Sequence, residues 1–371
     1  MSEFVVSARK YRPQTFDTVV GQLSITNTLK NAIKNDHLAQ AFLFCGSRGV
    51  GKTTTARILA KTINCFNRTE NVEACDVCES CISFNSGNSL NVFELDAASN
   101  NSVDDIRVLI DQVRIMPQLG THKVYIIDEV HMLSANAFNA FLKTLEEPPK
   151  HAIFILATTE KHKIIPTILS RCQIFDFNRI RVSDISEHLA KIASKEGVTA
   201  DPEALHLIGM KADGALRDAL SIFDQIVTFA GNTVTYRHVL DNLNVLDYDY
   251  YFKVVDCAEK EDIPASLLIL NDIYQKGFDG HNFVNGLSEH YRNLLVAKDV
   301  RTLNLIDVPD TIQQKFLEQS KLIEASRILR SLAVLSKLDV EYKSSKNPRL
   351  LIEVALMQLC SLKQEQEKKN G

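Results

Sequence analysis

The chain has no apolar run long enough to cross a bilayer. Its best candidates, such as AIFILA at 152–157, stop far short of the roughly 20 residues that a spanning helix needs. The opening stretch, MSEFVVSARKYRP, has no basic segment leading into an apolar core, so no secretory signal is indicated. Both absences point to a cytoplasmic protein without a membrane role. Basic charge is also in short supply: 42 Lys and Arg stand against 46 Asp and Glu, for a net charge of −4 and a pI near 6.2. Without a global positive field, any contact with nucleic acid must rest on a local patch.

What is present is size and pattern. A chain of 371 residues with 45% apolar content exceeds what one hydrophobic core usually organises, so two or three domains are expected. Up to about residue 179, short β-rich runs (AFLFCG, NVFEL, KVYIID, AIFILAT, QIFDF) alternate with helical patterns, which predicts an α/β domain with a parallel sheet flanked by helices. After Phe177 the strand signals fade. Apolar residues at helical spacing, as in ISEHLAKIA and ALRDALSIFDQIV, predict a small helical domain over 180–243. A third, all-helical domain is expected over 244–362, with breaks at Pro264, Gly277 to Gly280, Pro309 and Pro348. The final KQEQEKKNG, 363–371, is apolar-poor and reads as a polar tail or the start of a linker.

GSRGVGKT at 46–53 fits the pattern G-x-x-x-x-G-K-[ST] and follows a strand and precedes a helical run. Gly46, Gly49 and Gly51 let the backbone curl so that the N–H groups of Gly46, Ser47, Arg48, Gly49, Val50, Gly51, Lys52, Thr53 and Thr54 can face phosphate oxygens. Lys52 would neutralise β- and γ-phosphate charge, and Thr53 would offer a hydroxyl to Mg²⁺. KVYIIDEVH at 123–131 ends an apolar strand in two carboxylates: Asp128 to hold the metal and Glu129 to orient and activate water. His131, a lone histidine beside an acid, reads as a structural hydrogen-bonder. The next strand ends in Thr158 and Thr159, either of which could sense the γ-phosphate or simply cap a turn. Arg171 in LSRC and Arg217 in GALRDAL are candidates of lower weight, since most surface arginines are solvated.

Taken together, ARKYRPQTFDTVVGQ, GSRGVGKT, IIDEVHMLS, FNAFLKTLEEPP, ATT, LSRC and GALRDALS stand in an order and spacing that resembles the gamma/tau subunit of bacterial DNA polymerase III, the motor of the sliding-clamp loader. The resemblance is dense over the first 230 residues and general beyond them. It implies a P-loop ATPase of the AAA+ type with a helical lid and a helical collar, using ATP and Mg²⁺. It also implies a pentamer with delta, delta prime and further gamma/tau copies, acting on a sliding clamp and primer-template DNA. Thr159 would be the first sensor, Arg217 the second sensor reaching ATP from the lid, and Arg171 an arginine finger for the neighbouring subunit's ATP. Tyr11, Arg12, Pro13 and Val20 would form the adenine-side wall, although Tyr11 and Pro13 could equally be packing at a chain start. The family's DNA-facing stretch is basic in many members. Here SNNSVDDIR, 99–107, offers only Arg107, with asparagines that can still bond phosphate oxygens. A different AAA+ machine, such as a branch-migration motor, and a non-hydrolysing scaffold subunit are the rival readings. The SRC and EEPP motifs speak against the first, intact Lys52, Asp128, Glu129 and Arg171 against the second.

Of the eight cysteines, Cys45, Cys172, Cys257 and Cys360 are scattered in apolar surroundings and read as small hydrophobes. Cys65, Cys75, Cys78 and Cys81 instead form C-x9-C-x2-C-x2-C, four soft ligands that can close a tetrahedral Zn²⁺ shell and leave no open position for catalysis. Disulfides are disfavoured by a cytosolic setting, and an iron–sulfur cluster by the missing C-P. The gamma/tau family has the same four-cysteine insertion. Cys65 lies thirteen residues beyond Lys52, about 20 Å along a helix, so zinc is expected to staple a protruding loop well away from the phosphates.

Overall fold

Every residue of β1 (Ala41–Cys45) and β4 (Ala152–Thr158) is buried, without the in-out alternation of a half-exposed strand. Such runs belong in the middle of a parallel sheet covered on both faces. The computed structural model, which describes residues 5–243 and 246–370, places them there. With β2 (Val92–Asp96), β3 (Lys123–Asp128) and β5 (Gln173–Asp176) they form a five-stranded sheet in the order β2-β3-β4-β1-β5. Every pairing is parallel. All five strands coincide with the β-rich runs of the sequence.

Two apolar layers sandwich the sheet. On one face Phe42, Phe44 and Ile126 meet Leu29 and Ile33 of the helix Leu23–Lys34 and Leu59 of the helix Lys52–Ile63. On the other, Leu43, Tyr125 and Phe154 meet Phe138 and Phe141 of the helix Ala135–Glu146 and Ile106 of the helix Val103–Val113. Because the strands are parallel, their C-terminal ends share one edge: Cys45 is in register with Thr158 and with Asp176, and Asp96 with Asp128. From β1 the chain crosses to β2 at the sheet edge, three strands away, then returns through β3 to β4 beside β1 and leaves to β5 on the other side; a reversal of this kind opens the crevice where open α/β sheets bind ligands.

By packing, the described residues fall into two compact units. One comprises the chain up to Thr199 with Ile208–Thr228, the other Ala200–Leu207 with Phe229 onward. The second contains the helices Tyr248–Glu259, Ile263–Gln275, Gly280–Val296, Asp310–Leu322, Ala325–Tyr342 and Pro348–Asn370. Each break read from the sequence falls at a helix end. Pro264 lies in the first turn of its helix, Gly277 has a left-handed φ of 80° after another, Pro309 caps the next, and Pro348 opens the last. Leu287, Phe283, Ile328, Phe316, Leu335 and Ile352 fill the core between them. The last helix runs on to Asn370, through the stretch read as a tail; Lys, Glu and Gln are strong helix formers and need no core to favour that backbone. Among the described residues, no helix is long and apolar enough to cross a membrane.

Candidate nucleotide site and cysteine cluster

The glycine-rich loop occupies the crevice at the end of β1. Gly46, Gly49 and Gly51 have φ of 148°, 78° and 104°, conformations that suit residues without a Cβ. Two of them are also sterically required. A Cβ at Gly46 would lie 2.6 Å from the Phe177 carbonyl oxygen, and one at Gly49 would lie 2.9 Å from the Ala215 Cβ. Gly51 caps the helix Lys52–Ile63, whose N-terminal N–H groups and dipole favour an anion. Lys52 is buried and its ammonium donates to the carbonyls of Gly46 (2.7 Å) and Ser47 (2.8 Å), so it lies along the loop that would hold phosphate. Burial pushes its pKa down, and Glu129 and Asp128 oppose that shift. Val50 is buried, Thr54 half-buried in the first helical turn, and Arg48 exposed.

The Thr53 hydroxyl donates to Asp128 Oδ2 at 2.6 Å, which sets the hydroxyl and the carboxylate together where a Mg²⁺ ion would need them. Asp128 Oδ1 accepts from the Glu129 N–H at 2.9 Å. Glu129 itself has a left-handed φ of 47°, a strain of the sort concentrated at functional sites. Its Oε2 accepts from the Thr159 N–H (3.3 Å) and hydroxyl (3.0 Å). Thr158 is buried and its Oγ1 lies 3.0 Å from His131 Nδ1. His131 also sits between Glu129 (3.4 Å) and Glu160 (3.6 Å), the hydrogen-bonding role read for it. Thr159 and not Thr158 therefore reaches the Glu129 carboxylate.

Arg217 is brought to the same loop by a glycine. Gly214, φ 79°, packs so closely that a Cβ there would lie 2.6 Å from Arg179 Cβ. The helix that follows then rests on Gly49, where an added Cβ would meet Ala215 and, at 3.5 Å, the Arg217 Cβ. Among the described residues the Arg217 side chain has no carboxylate partner. Arg12 is half-buried near it; burial first, then Arg57 and Arg217, push its pKa down. Glu94, paired with Arg57, opposes that shift.

Tyr11, Arg12, Pro13 and Val20 line a cavity of about 930 Å³ together with His188 and Ile192 of the helix Val182–Glu196. The Tyr11 hydroxyl donates to Glu196, which Lys10 also meets at 2.6 Å. Gln22, buried, ties this segment to the phosphate loop by donating to the carbonyls of Asn178 (2.7 Å) and Val50 (3.4 Å). Its role was hidden in the sequence, where a glutamine after glycine carries no signal.

Arg171 lies apart from these groups. Its guanidinium donates to Glu146 at 2.7 Å, to the Thr167 carbonyl at 2.7 Å and to Ser170. In the stretch 99–107 the aspartates serve local structure: Asp105 and Ser102 form a reciprocal capping box, and Asp104 pairs with Arg107 at 3.1 Å. The one basic side chain of that stretch is thus already matched.

The Sγ atoms of Cys65, Cys75, Cys78 and Cys81 lie within 4.8 Å of one another, with Cys65 and Cys78 at 4.0 Å. Zn–S bonds of about 2.3 Å in a tetrahedron place sulfurs about 3.8 Å apart, so the four thiols fit that ion with little adjustment. The Cys75 N–H donates to Cys65 Sγ and the Cys78 N–H to Cys75 Sγ, each at 3.3 Å. The Val77 N–H helps pull the Cys75 thiol down to about 6, which favours the thiolate a metal needs. Burial pushes the thiols of Cys65 and Cys81 up, as it does those of the packing residues Cys45, Cys172, Cys257 and Cys360, so within the cluster the thiolate is favoured at Cys75 and Cys78. The loop around the cluster lies at the surface, with Phe66 and Val77 exposed, but its base is anchored. Cys65 and Cys81 are buried, and Asp76 accepts from Lys61, a buried residue of the phosphate-loop helix, at 2.7 Å.

Three family models match consecutive parts of the chain: DNA polymerase III delta subunit over 21–181, DNA polymerase III clamp loader subunit ATPase lid domain over 184–232, and DNA polymerase III subunits gamma and tau domain III over 234–370. The DNA polymerase III subunit tau of Bacillus subtilis is 40% identical over 352 residues, 95% of this chain and 62% of the relative. The subunit gamma of Buchnera aphidicola subsp. Baizongia pistaciae is 37% identical over 316 residues, 85% of this chain and 84% of the relative. The chain thus spans less than two thirds of the Bacillus protein's length. Among solved structures, the Thermotoga maritima RuvB Holliday junction branch migration motor matches with a TM-score of 0.48 and 19% identity, over 67% of this chain and 78% of that one. The sheet order, the phosphate loop and its two carboxylates, and the succession of three domain models agree on one assignment: the chain belongs to the gamma/tau family of DNA polymerase III subunits.

Proposed function

We propose that this chain is the ATPase motor subunit of a clamp loader, binding and hydrolysing ATP to drive a sliding clamp onto primed DNA. The observation that carries the reading is the hydrogen bond from Thr53 to Asp128 at 2.6 Å. It joins the phosphate-loop helix to the acidic end of β3, the pairing a nucleotide-bound Mg²⁺ requires. When bound, Mg²⁺ would neutralise charge on the β- and γ-phosphates. The chain's own groups do the rest: Lys52 and the loop N–H groups bind phosphate, Glu129 orients and deprotonates water, and Thr159 fixes Glu129 and reads the γ-phosphate. Arg217 serves as the second sensor. Arg171 serves as the finger for a neighbour's ATP, so that hydrolysis depends on assembly; its contact with Glu146 holds it until a neighbour's nucleotide competes.

The division into a nucleotide domain at 1–179, a lid at 180–243 and a collar at 244–362 belongs to the same reading, supported by the order of the family models. So do the partners: delta, delta prime, further gamma/tau copies, the clamp and primer-template DNA. Zn²⁺ at the four cysteines is structural, and no polymerase chemistry is assigned to the chain. A non-hydrolysing scaffold is disfavoured by the intact set of Lys52, Asp128, Glu129 and Arg171.

Equilibrium binding of ATP with Mg²⁺ to the purified chain tests the foundation. Wild type binds and Lys52→Ala loses binding by about a hundredfold, as expected for one buried phosphate contact. Equal affinity of the two proteins would refute the assignment.

A further inference from the structure

Glu73 lies two residues before Cys75 and is buried, 7% exposed. A buried carboxylate is costly unless its charge and lone pairs are matched, and here they are matched by a segment more than fifty residues away. Oε2 accepts from the Phe16 N–H at 3.0 Å, and Oε1 accepts from the Asp17 N–H at 3.1 Å. The Lys30 ammonium lies 2.8 Å from the same Oε1. Phe16 and Asp17 open the 3-10 turn Phe16–Thr18, and the first N–H groups of any helical turn lack a partner of their own. Glu73 supplies it from across the structure.

That turn is the middle of the cavity wall. It lies between Tyr11, Arg12 and Pro13 on one side and Val20 on the other, all of which line the 930 Å³ cavity. Phe16 and Val19, at 0% and 5% exposure, root it in the core. Whatever fixes Phe16–Thr18 therefore fixes the face that the nucleobase would meet.

The loop that carries Glu73 is short and braced. The Thr69 N–H donates to the Glu73 carbonyl at 2.9 Å, the Glu73 N–H donates to Thr69 Oγ1 at 3.1 Å, and Val72 between them has φ of 60°. It is closed by Cys65 at one end and Cys75 at the other. Beyond Cys75, Asp76 holds Lys61 of the phosphate-loop helix at 2.7 Å and Asn85 at 3.0 Å. The residues flanking Cys75 thus hold both halves of the site, Glu73 the base side and Asp76 the phosphate helix.

We infer that Glu73 is a positioning residue through which metal binding at Cys65, Cys75, Cys78 and Cys81 and nucleotide binding strengthen one another. The inference rests on the nucleotide and zinc readings above and extends them. Four thiolates on one ion hold the 65–81 loop in a single shape, and that shape presents the Glu73 carboxylate to Phe16 and Asp17. Without the ion the loop gains conformations in which the carboxylate lets go, and the wall is ordered only when nucleotide binds. Coupling of this kind is reciprocal: nucleotide must tighten zinc by the factor by which zinc tightens nucleotide.

The experiment uses the full zinc-loaded chain with two readouts, neither of them turnover: affinity for ADP with Mg²⁺, and zinc affinity by competition with a chromogenic chelator. Wild type should hold zinc roughly tenfold more tightly in saturating ADP. Glu73→Gln retains the size but loses the charge and one acceptor. It should keep about one zinc per chain, bind ADP roughly tenfold more weakly, and show no effect of ADP on zinc affinity. Zinc affinity in wild type that is the same with and without ADP would overturn the coupling, and needs no variant to fold. Wild-type ADP affinity in Glu73→Gln would overturn the role of Glu73. A chain that binds ADP but takes up no zinc would refute the inference and leave the nucleotide reading standing, whereas a wild-type chain that binds no ADP would sink both.

Discussion

Thr159 donates two hydrogen bonds to the Glu129 carboxylate, from its N–H at 3.3 Å and from its hydroxyl at 3.0 Å. The end of β4 thereby restrains the acid that follows β3, and a shift at one strand end moves the other. Thr159→Val keeps the volume and removes the hydroxyl. Its ATP affinity should stay within about twofold of wild type while kcat falls about tenfold, the pattern of an interaction made in the transition state. Glu129→Gln, which removes the proposed base, should lower kcat by about a hundredfold or more. Single-turnover hydrolysis in the assembled loader reads both; unchanged chemistry in Thr159→Val would detach Thr159 from the mechanism.

Tyr125 is wholly buried in β3, stacked between Phe93 and Phe154 at centroid distances of 5.2 and 5.5 Å. Its hydroxyl has no hydrogen-bond partner among the described residues. An unsatisfied buried hydroxyl costs about 1–3 kcal/mol, so Tyr125→Phe should leave stability unchanged or raise it by about 1 kcal/mol. Thermal unfolding checks this, and a fall in Tm would reveal a partner for the hydroxyl.

His290 is 2% exposed in the second unit, against the rings of Phe252 and Phe316. Nε2 lies 2.9 Å from Gln319 Oε1, and Nδ1 has no hydrogen-bond partner among the described residues. Burial pushes its pKa down to about 4 from the ordinary 6.5. The unfolded chain therefore takes up a proton first as pH falls. The contribution of neutral His290 is intact above pH 6.5 and is lost progressively between about 6.5 and 4, a loss on the order of 3 kcal/mol at the lower end. His290→Leu should flatten denaturant-measured stability across that window, and an unchanged slope would mean that the ring is not the titrating group.

Much of the site was legible because its signals are local. The phosphate loop is one contiguous run whose glycines answer a backbone need, and five apolar strands announce a parallel sheet without help from neighbours. The cysteine spacing was equally direct, since metal geometry limits how far apart ligands can lie. What could not be read were contacts made by the fold. Glu73 meets Phe16 and Gly214 meets Arg179 only after the chain has returned on itself, and neither pair leaves a pattern at any fixed spacing. The anchoring of the cysteine loop was hidden for the same reason: Lys61 and Asp76 look like ordinary surface charges until the helix and the loop are side by side.

The central claim is that nucleotide turnover by this chain belongs to a loading machine and depends on assembly. ATP turnover should be measured for the purified chain alone, and again with sliding clamp, primed DNA and the remaining loader subunits. Weak turnover alone and strong stimulation in the complete mixture are predicted, with Arg171→Ala sparing ATP binding but removing most of the stimulation. Turnover in the complete mixture no faster than that of the isolated chain would contradict the account.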